Sequence, residues 1–125
     1  MDNLKEYLYS TYHLWLREIE DNKFIVGITN YIIEDMGEIN TINLTGIGYI
    51  LLEGDFFGSI ENSEEVYELP MPLDGEIIDV NPIAEKELSL LEDNPLDVWL
   101  IKIKVTNEDQ IYDLLNEKEY SNFII

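Results

Sequence analysis

Apolar and polar positions alternate along this chain in short runs, separated by glycine, proline, asparagine and acidic clusters. Such a pattern predicts many short strands joined by tight turns. Residues 8–19 (LYSTYHLWLREI) read as a strand, Glu20-Asp21-Asn22-Lys23 as a turn, and residues 24–29 (FIVGIT) as a second strand, which together predict a hairpin. Thr29 or Asn30 can cap a short helix through Met36, with Gly37 placed to end it. Further strands are expected over residues 38–44 and 49–52, on either side of Gly46 and Gly48.

Residues 55–60 lead into an acidic turn and residues 66–69 lead out of it. Pro70, Met71 and Pro72 keep the next stretch extended and argue against a central strand there. Leu73-Asp74-Gly75 is a turn, residues 76–80 (EIIDV) a strand, and residues 82–93 a helix that starts near Pro82 and ends at Asn94-Pro95. The clearest strand is 98–105 (VWLIKIKV): strict alternation puts Trp99, Ile101, Ile103 and Val105 on one face, and Val98, Leu100, Lys102 and Lys104 on the other. Thr106 to Asp109 has capping-box spacing and predicts a final helix to about Asn116, with Ile111, Leu114 and Leu115 on one side. The expected architecture is mainly β, a sandwich or flattened barrel with peripheral helices. With 125 residues and no linker or repeat, residues 1–125 are expected to form one domain.

Charge narrows the function classes. The chain has 27 acidic and 7 basic residues, a net charge of −20, which repels nucleic-acid backbones and anionic lipid surfaces, so neither is an expected partner. It suits either a basic partner surface or simple solubilisation. The absence of cysteine excludes disulfides, thiolate metal sites and cysteine nucleophiles, and agrees with the expected cytoplasmic location. The opening MDNLKEYLYS lacks the basic start and apolar run of a signal peptide. No apolar run approaches the roughly 20 residues that cross a bilayer.

Several segments, in this order, resemble the glycine cleavage system H-protein family. Tyr12-His13-Leu14-Trp15 resembles its S-H-E-W opening, Val26-Gly27-Ile28-Thr29 with Tyr31 its V-G-I-T-x-Y segment, and Met36-Gly37-Glu38-Ile39 its L-G-D-I. Gly54-Asp55 with Phe57-Gly58 is similar to G-D-x-F-G, Pro72 with Gly75-Glu76 to P-x-x-G-E, and Asn94-Pro95 with residues 99–103 (WLIKI) to the closing N-x-x-P…W-L-I-K-I. The resemblance spans about residues 12–120 and implies a lipoyl-domain-like fold of the H-protein type. It also implies a carrier and not an enzyme. In the family, lipoate is joined by an amide to a lysine at a hairpin tip, in a pattern close to E-S-V-K-A, and the arm visits a glycine decarboxylase, an aminomethyltransferase and a dihydrolipoamide dehydrogenase. The matching segment here is Glu61-Asn62-Ser63-Glu64-Glu65, flanked by Gly58, Pro72 and Gly75. Glu64 occupies the lysine position, and none of the bases Lys5, Arg17, Lys23, Lys86, Lys102, Lys104 and Lys118 falls in the turn. Leu14 replaces the acid of the opening motif, and Val98 stands where glycine is usual before the tryptophan. Taken residue by residue, the resemblance implies a non-lipoylated, non-catalytic binding or accessory protein, with no cofactor at Glu64 and partners among the glycine cleavage enzymes or the lipoate system.

Other chemistry is thin. His13 is the lone histidine, which disfavours an ordinary zinc site and a hydrolytic triad; a structural or partner-facing role in an N-terminal strand is expected. Glu61, Glu64, Glu65 and Glu68 could offer oxygens to a hard cation, which leaves a small metal-binding protein or an enzyme as the alternative, but no EF-hand loop is present and a solvated acidic turn is preferred. Gly46-Ile47-Gly48 lacks the rest of a dinucleotide fingerprint and reads as a strand bend.

Overall fold

The computed structural model describes residues 5–125; Met1–Leu4, part of the segment read above for leader character, lie outside the described residues. Among the described residues, nine strands form two antiparallel sheets. One has six strands: β1 (Leu8–Tyr9), β2 (Leu14–Glu20), β3 (Lys23–Ile28), β9 (Ile101–Val105), β8 (Gly75–Val80) and β5 (Ile50–Leu51), in that spatial order. The other has β6 (Phe56–Glu61) between β4 (Thr41–Leu44) and β7 (Val66–Pro70). The helices are α1 (Asn30–Met36), α2 (Pro82–Lys86), α3 (Leu88–Asp93) and α4 (Glu117–Phe123). This is the mainly β, lipoyl-domain-like sandwich with peripheral helices that the sequence implies.

Alternation in β2 and β3 sorts their side chains between two cores. Leu14 and Leu16 from β2, with Phe24, Val26 and Ile28 from β3, join the main core with Phe57, Ile60 and Leu69 of the smaller sheet. Trp15 and Ile25 point the other way, into an aromatic cluster with Tyr9 and Tyr120. There the Trp15 indole lies against Gly27, so that a Cβ on that glycine would clash with its Cε2, Nε1 and Cζ2 atoms. Its Nε1 donates to Pro95 O at 2.9 Å. This contact fastens the 94–97 segment to the sheet.

Several expectations need correction. The first strand, read over 8–19, is interrupted: β1 and β2 are separated by a tight turn holding His13, whose φ is +68°. His13 is therefore in a turn and not in a strand. The helix read over 82–93 is two helices, divided at Glu87 (φ −119°, ψ 69°); glutamate is a helix former, so composition gave no warning. The 98–105 strand starts at Ile101. Leu100 N donates to Val26 O while Ile101 stands opposite Val26, so two residues face one and the alternation resets. Leu100 and Ile101 are both buried, and Trp99 faces away from Ile101, towards Lys102.

The C-terminal expectation also changes. Asn107, and not Thr106, caps a 3-10 helix at 108–113. Mutual backbone bonds of 2.8 Å between Tyr9 and Leu115 then pull the chain into a bridge, so Leu115 packs with the aromatic cluster while Ile111 and Leu114 pack on the main core. Asn116 begins a helix where an end was expected: it and Glu119 form a reciprocal capping box for α4.

Gly27→Ala is expected to lower the unfolding free energy by about 1–3 kcal/mol, the usual cost of overpacking. Urea titration would measure it, and an unchanged midpoint would mean that the indole can move aside.

Candidate functional site

The β6–β7 hairpin carries the residues that the sequence singled out. Glu61 pairs with Val66, Ile60 with Tyr67, Ser59 with Glu68 and Gly58 with Leu69, while a shift in register around Phe57 brings Phe56 opposite Pro70. Period-two alternation puts Ile60, Tyr67 and Leu69 on the core side, and Ser59, Glu61, Val66 and Glu68 on the outer side. Gly58 is needed because β4 lies close: a Cβ would come within 2.5 Å of Asn43 O. Pro72 and Gly75 are buried where the chain crosses from β7 to β8. A Cβ at Gly75 would meet Lys104 O at 2.9 Å. These flanking residues thus fix the hairpin's base and its approach to the other strands.

The tip is built around Asn62. Its backbone N–H donates to Glu65 O at 3.0 Å. Its side-chain Oδ1 accepts from Glu64 N at 2.8 Å and from Glu65 N at 2.7 Å. Its Nδ2 donates to Met36 O at 2.6 Å, at the end of α1. One carboxamide therefore closes the turn and satisfies a carbonyl that the helix leaves without an intrahelical donor. Asn40 N donates to Glu61 O at 2.8 Å and adds a second tie beside it. Ser63 and Glu64 sit at the apex, and both are exposed, as are Glu65 and Glu68.

The site's charge is of one sign, because no lysine or arginine occurs between Lys23 and Lys86. The acids nevertheless stay apart. Among the described residues, no three His, Asp or Glu side chains are grouped so as to hold a metal ion. A metal site built on the acidic turn is therefore not favoured. Asn62 is the site residue whose role the sequence reading missed, although asparagine at the start of a turn is the usual sign of a side chain that bonds the next backbone amides.

His13 lies elsewhere, against the C-terminal helix. It stacks on Tyr31 with ring centroids 3.8 Å apart, and its Nδ1 is 2.9 Å from Tyr120 Oη. Thr29 Oγ1 donates to His13 O at 2.8 Å and lies 3.1 Å from Tyr120 Oη. Each proton is used once if Thr29 donates to His13 O, Tyr120 to Thr29, and His13 Nδ1–H to Tyr120. Burial holds the imidazole below the ordinary histidine range, against an opposing pull from Asp35. This arrangement is structural: it locks α4 over the turn between β1 and β2.

The family profile described as "Glycine cleavage H-protein" matches residues 7–125. The chain is 36% identical over 120 residues to the "Glycine cleavage system H protein" of Staphylococcus epidermidis, covering 95% of this chain and 94% of that one. It is 31% identical over 124 residues to "Glycine cleavage system H protein 1" of Caldanaerobacter subterraneus subsp. tengcongensis, covering 99% and 98%. A crystal structure of a glycine cleavage system H protein from Mycobacterium marinum superposes with a TM-score of 0.80 at 26% identity, over 94% of each chain.

Asn62→Ala is expected to destabilise the protein by about 1–3 kcal/mol, through the orphaned helix carbonyl and turn amides. It should also speed hydrogen exchange at the Glu64 and Glu65 amides; protection equal to wild type would show that the turn closes without the carboxamide. For His13, the lowered pKa means that the unfolded chain takes up a proton first as pH falls. Stability should be full above the unfolded value of about 6.5 and decline as pH drops towards the folded value. An NMR titration should place the His13 midpoint below 6.5 with an Nδ1–H neutral tautomer, and a midpoint above it would refute the assignment.

Proposed function

Because the chain belongs to the glycine cleavage H-protein family, we propose that it serves as a non-lipoylated binding or accessory protein of the glycine cleavage or lipoate system, working in the cytoplasm. Proteins of this family carry lipoate between enzymes and catalyse nothing themselves, and this chain is not an enzyme. The observation that carries the proposal is the carboxylate of Glu64 at the exposed apex of the β6–β7 turn.

The lipoyl group does not fit the residues present. Its attachment needs an amine nucleophile that can form an amide. Glu64 offers a carboxylate, and the segment from residue 24 to 85 has neither lysine nor arginine. The remaining lysines lie on other elements: Lys23, Lys102 and Lys104 on the six-stranded sheet, Lys86 on α2, Lys118 on α4, and Lys5 ahead of β1. A lipoate ligase that approached the turn would also meet Glu61 and Glu65. What the hairpin keeps is the backbone presentation of a tip, held by Asn62 and backed by the core. A protein so shaped can occupy docking surfaces meant for a carrier, or assist a lipoylated relative, without transferring a group itself.

Intact mass after co-expression with a lipoate ligase and lipoate should match the unmodified chain; a lipoyl adduct on any residue from 60 to 68 would sink the proposal. Glu64→Lys is expected to gain some modification, since the apex is exposed and its backbone is fixed independently of that side chain. If this variant stays unmodified while replacement of the whole turn succeeds, then Asn62, Ser63 and Glu65 also obstruct the ligase.

A further inference from the structure

A groove opens on the outer face of the six-stranded sheet, beside the aromatic cluster. Arg17 on β2, Ile25 on β3 and Lys102 on β9 stand in one row across three adjacent strands. With about 4.8 Å between neighbouring strands, the two cations start roughly 10 Å apart with an apolar side chain between them. Tyr7, Leu96 and Trp99 form the wall, and the space they border is about 400 Å³, within the range of small-molecule sites. Hydrogen bonds fix that wall. Tyr7 Oη donates to Leu96 O at 2.7 Å, and Trp15 Nε1 donates to Pro95 O at 2.9 Å. Both cations lean over aromatic rings. The Arg17 guanidinium carbon is 4.4 Å from the Tyr7 ring centroid, and Lys102 Nζ is 5.9 Å from that of Trp99. The groove is thus shaped before any ligand arrives, which spares the cost of ordering it on binding.

The charges around the groove select its occupant. Asp79 stands opposite Lys102 on β8, yet among the described residues Lys102 takes part in no ion pair; its ammonium lines the groove instead. Arg17 Nε donates to Lys5 O at 2.8 Å, which holds the guanidinium over Tyr7. Asp97 is the one acid on the lining. Farther along the face, Lys104 stands between Lys23 and Glu76, and Lys23 pairs with Glu20 at 3.5 Å, so two acids meet those two bases. The groove itself sets two cations against one carboxylate, in a chain of net charge −20. Its local sign is the reverse of the whole protein's. We infer that this groove is a binding site for a small aromatic carboxylate. The flat ring lies over Ile25 beside Trp99, and Lys102 takes the carboxylate, with the charge of Arg17 facing it across the row. Asp97 repels a second carboxylate, so a monoanion fits better than a dianion. The inference goes beyond the accessory role proposed above and does not depend on it, since the groove and the β6–β7 hairpin belong to different sheets.

The test is an NMR titration of the full, isotope-labelled chain with naphthoate, with the cation naphthylmethylammonium and with octanoate. Naphthoate is expected to give saturable shifts at the Ile25 and Lys102 amides and at the Trp99 indole N–H, with a Kd of about 1 mM or tighter. The cation should bind this groove at least tenfold more weakly, although the field of the whole chain favours it. Lys102→Gln should weaken naphthoate about tenfold, the loss of one charge-assisted contact. Lys102→Arg, which keeps the charge, and Lys118→Gln, a control on α4, should bind like wild type. Circular dichroism melts of all four chains should coincide; if Lys102→Gln melts lower, the retained binding of Lys102→Arg still isolates the charge. Absence of saturable shifts at these three groups in wild type would overturn the site. Cation binding there as tight as that of naphthoate, or undiminished naphthoate binding by Lys102→Gln, would overturn the anion assignment. Octanoate binding as tightly as naphthoate would overturn the aromatic preference and assign the groove to aliphatic acids.

Discussion

Around β1, β2 and β3 the six-stranded sheet is covered on its outer face as well as on the core face, and the close approach of Trp15 to Gly27 is what permits it. One face of β2 and β3 belongs to the main core; on the other, a large indole must lie flat against the sheet while still finding a partner for its N–H. A residue with any side chain at position 27 would lift the ring away. Once seated, the indole holds Pro95 O, and the chain before β9 is fixed relative to β2. Tyr9, Tyr120 and Leu115 complete the same layer, so the chain's last helix is fastened to its first strands through aromatic contacts.

The hairpin illustrates how little is needed to present a tip. The side chain of Asn62 bonds three backbone groups on two elements. The turn's shape therefore depends on residue 62 and hardly at all on residues 63–65, whose side chains are free to differ. This separation is why a fold made for carrying can survive a carboxylate at its apex. Geometry resides in the backbone and its asparagine, while chemistry resides in one exposed side chain.

Much of the fold was legible because short periods and turn residues are local signals. The hairpin between β2 and β3, the helix ended by Gly37 at φ +69°, and the edge position implied by Pro70 all follow from residue type and spacing. What was not legible came from contacts distant in sequence. The bulge at Leu100 and Ile101 arises where the chain leaves the loop held by Trp15, and it moves Trp99 to the opposite face. The bridge between Tyr9 and Leu115 cuts short the helix expected to about Asn116, and α4 begins only after it. The positive φ at His13 is paid for by its ring contacts with Tyr31 and Tyr120, which no window of sequence contains. At the candidate site, the residues were found by their pattern, whereas the tie from Asn62 to Met36 needed the fold.

The sheet edges have a consequence for how the protein behaves when concentrated. An apolar segment along a free sheet edge is a template on which another chain could add a strand. Here β5 and β1, the two edges of the larger sheet, are two residues each. In the smaller sheet the edge strand β7 ends in Pro70, which has no amide proton to offer. Along the larger sheet an arriving strand would find too few aligned donors and acceptors to extend a ladder. The chain can therefore leave large hydrophobic side chains in water without seeding cross-β growth, because the backbone beneath them supplies no continuous edge to copy.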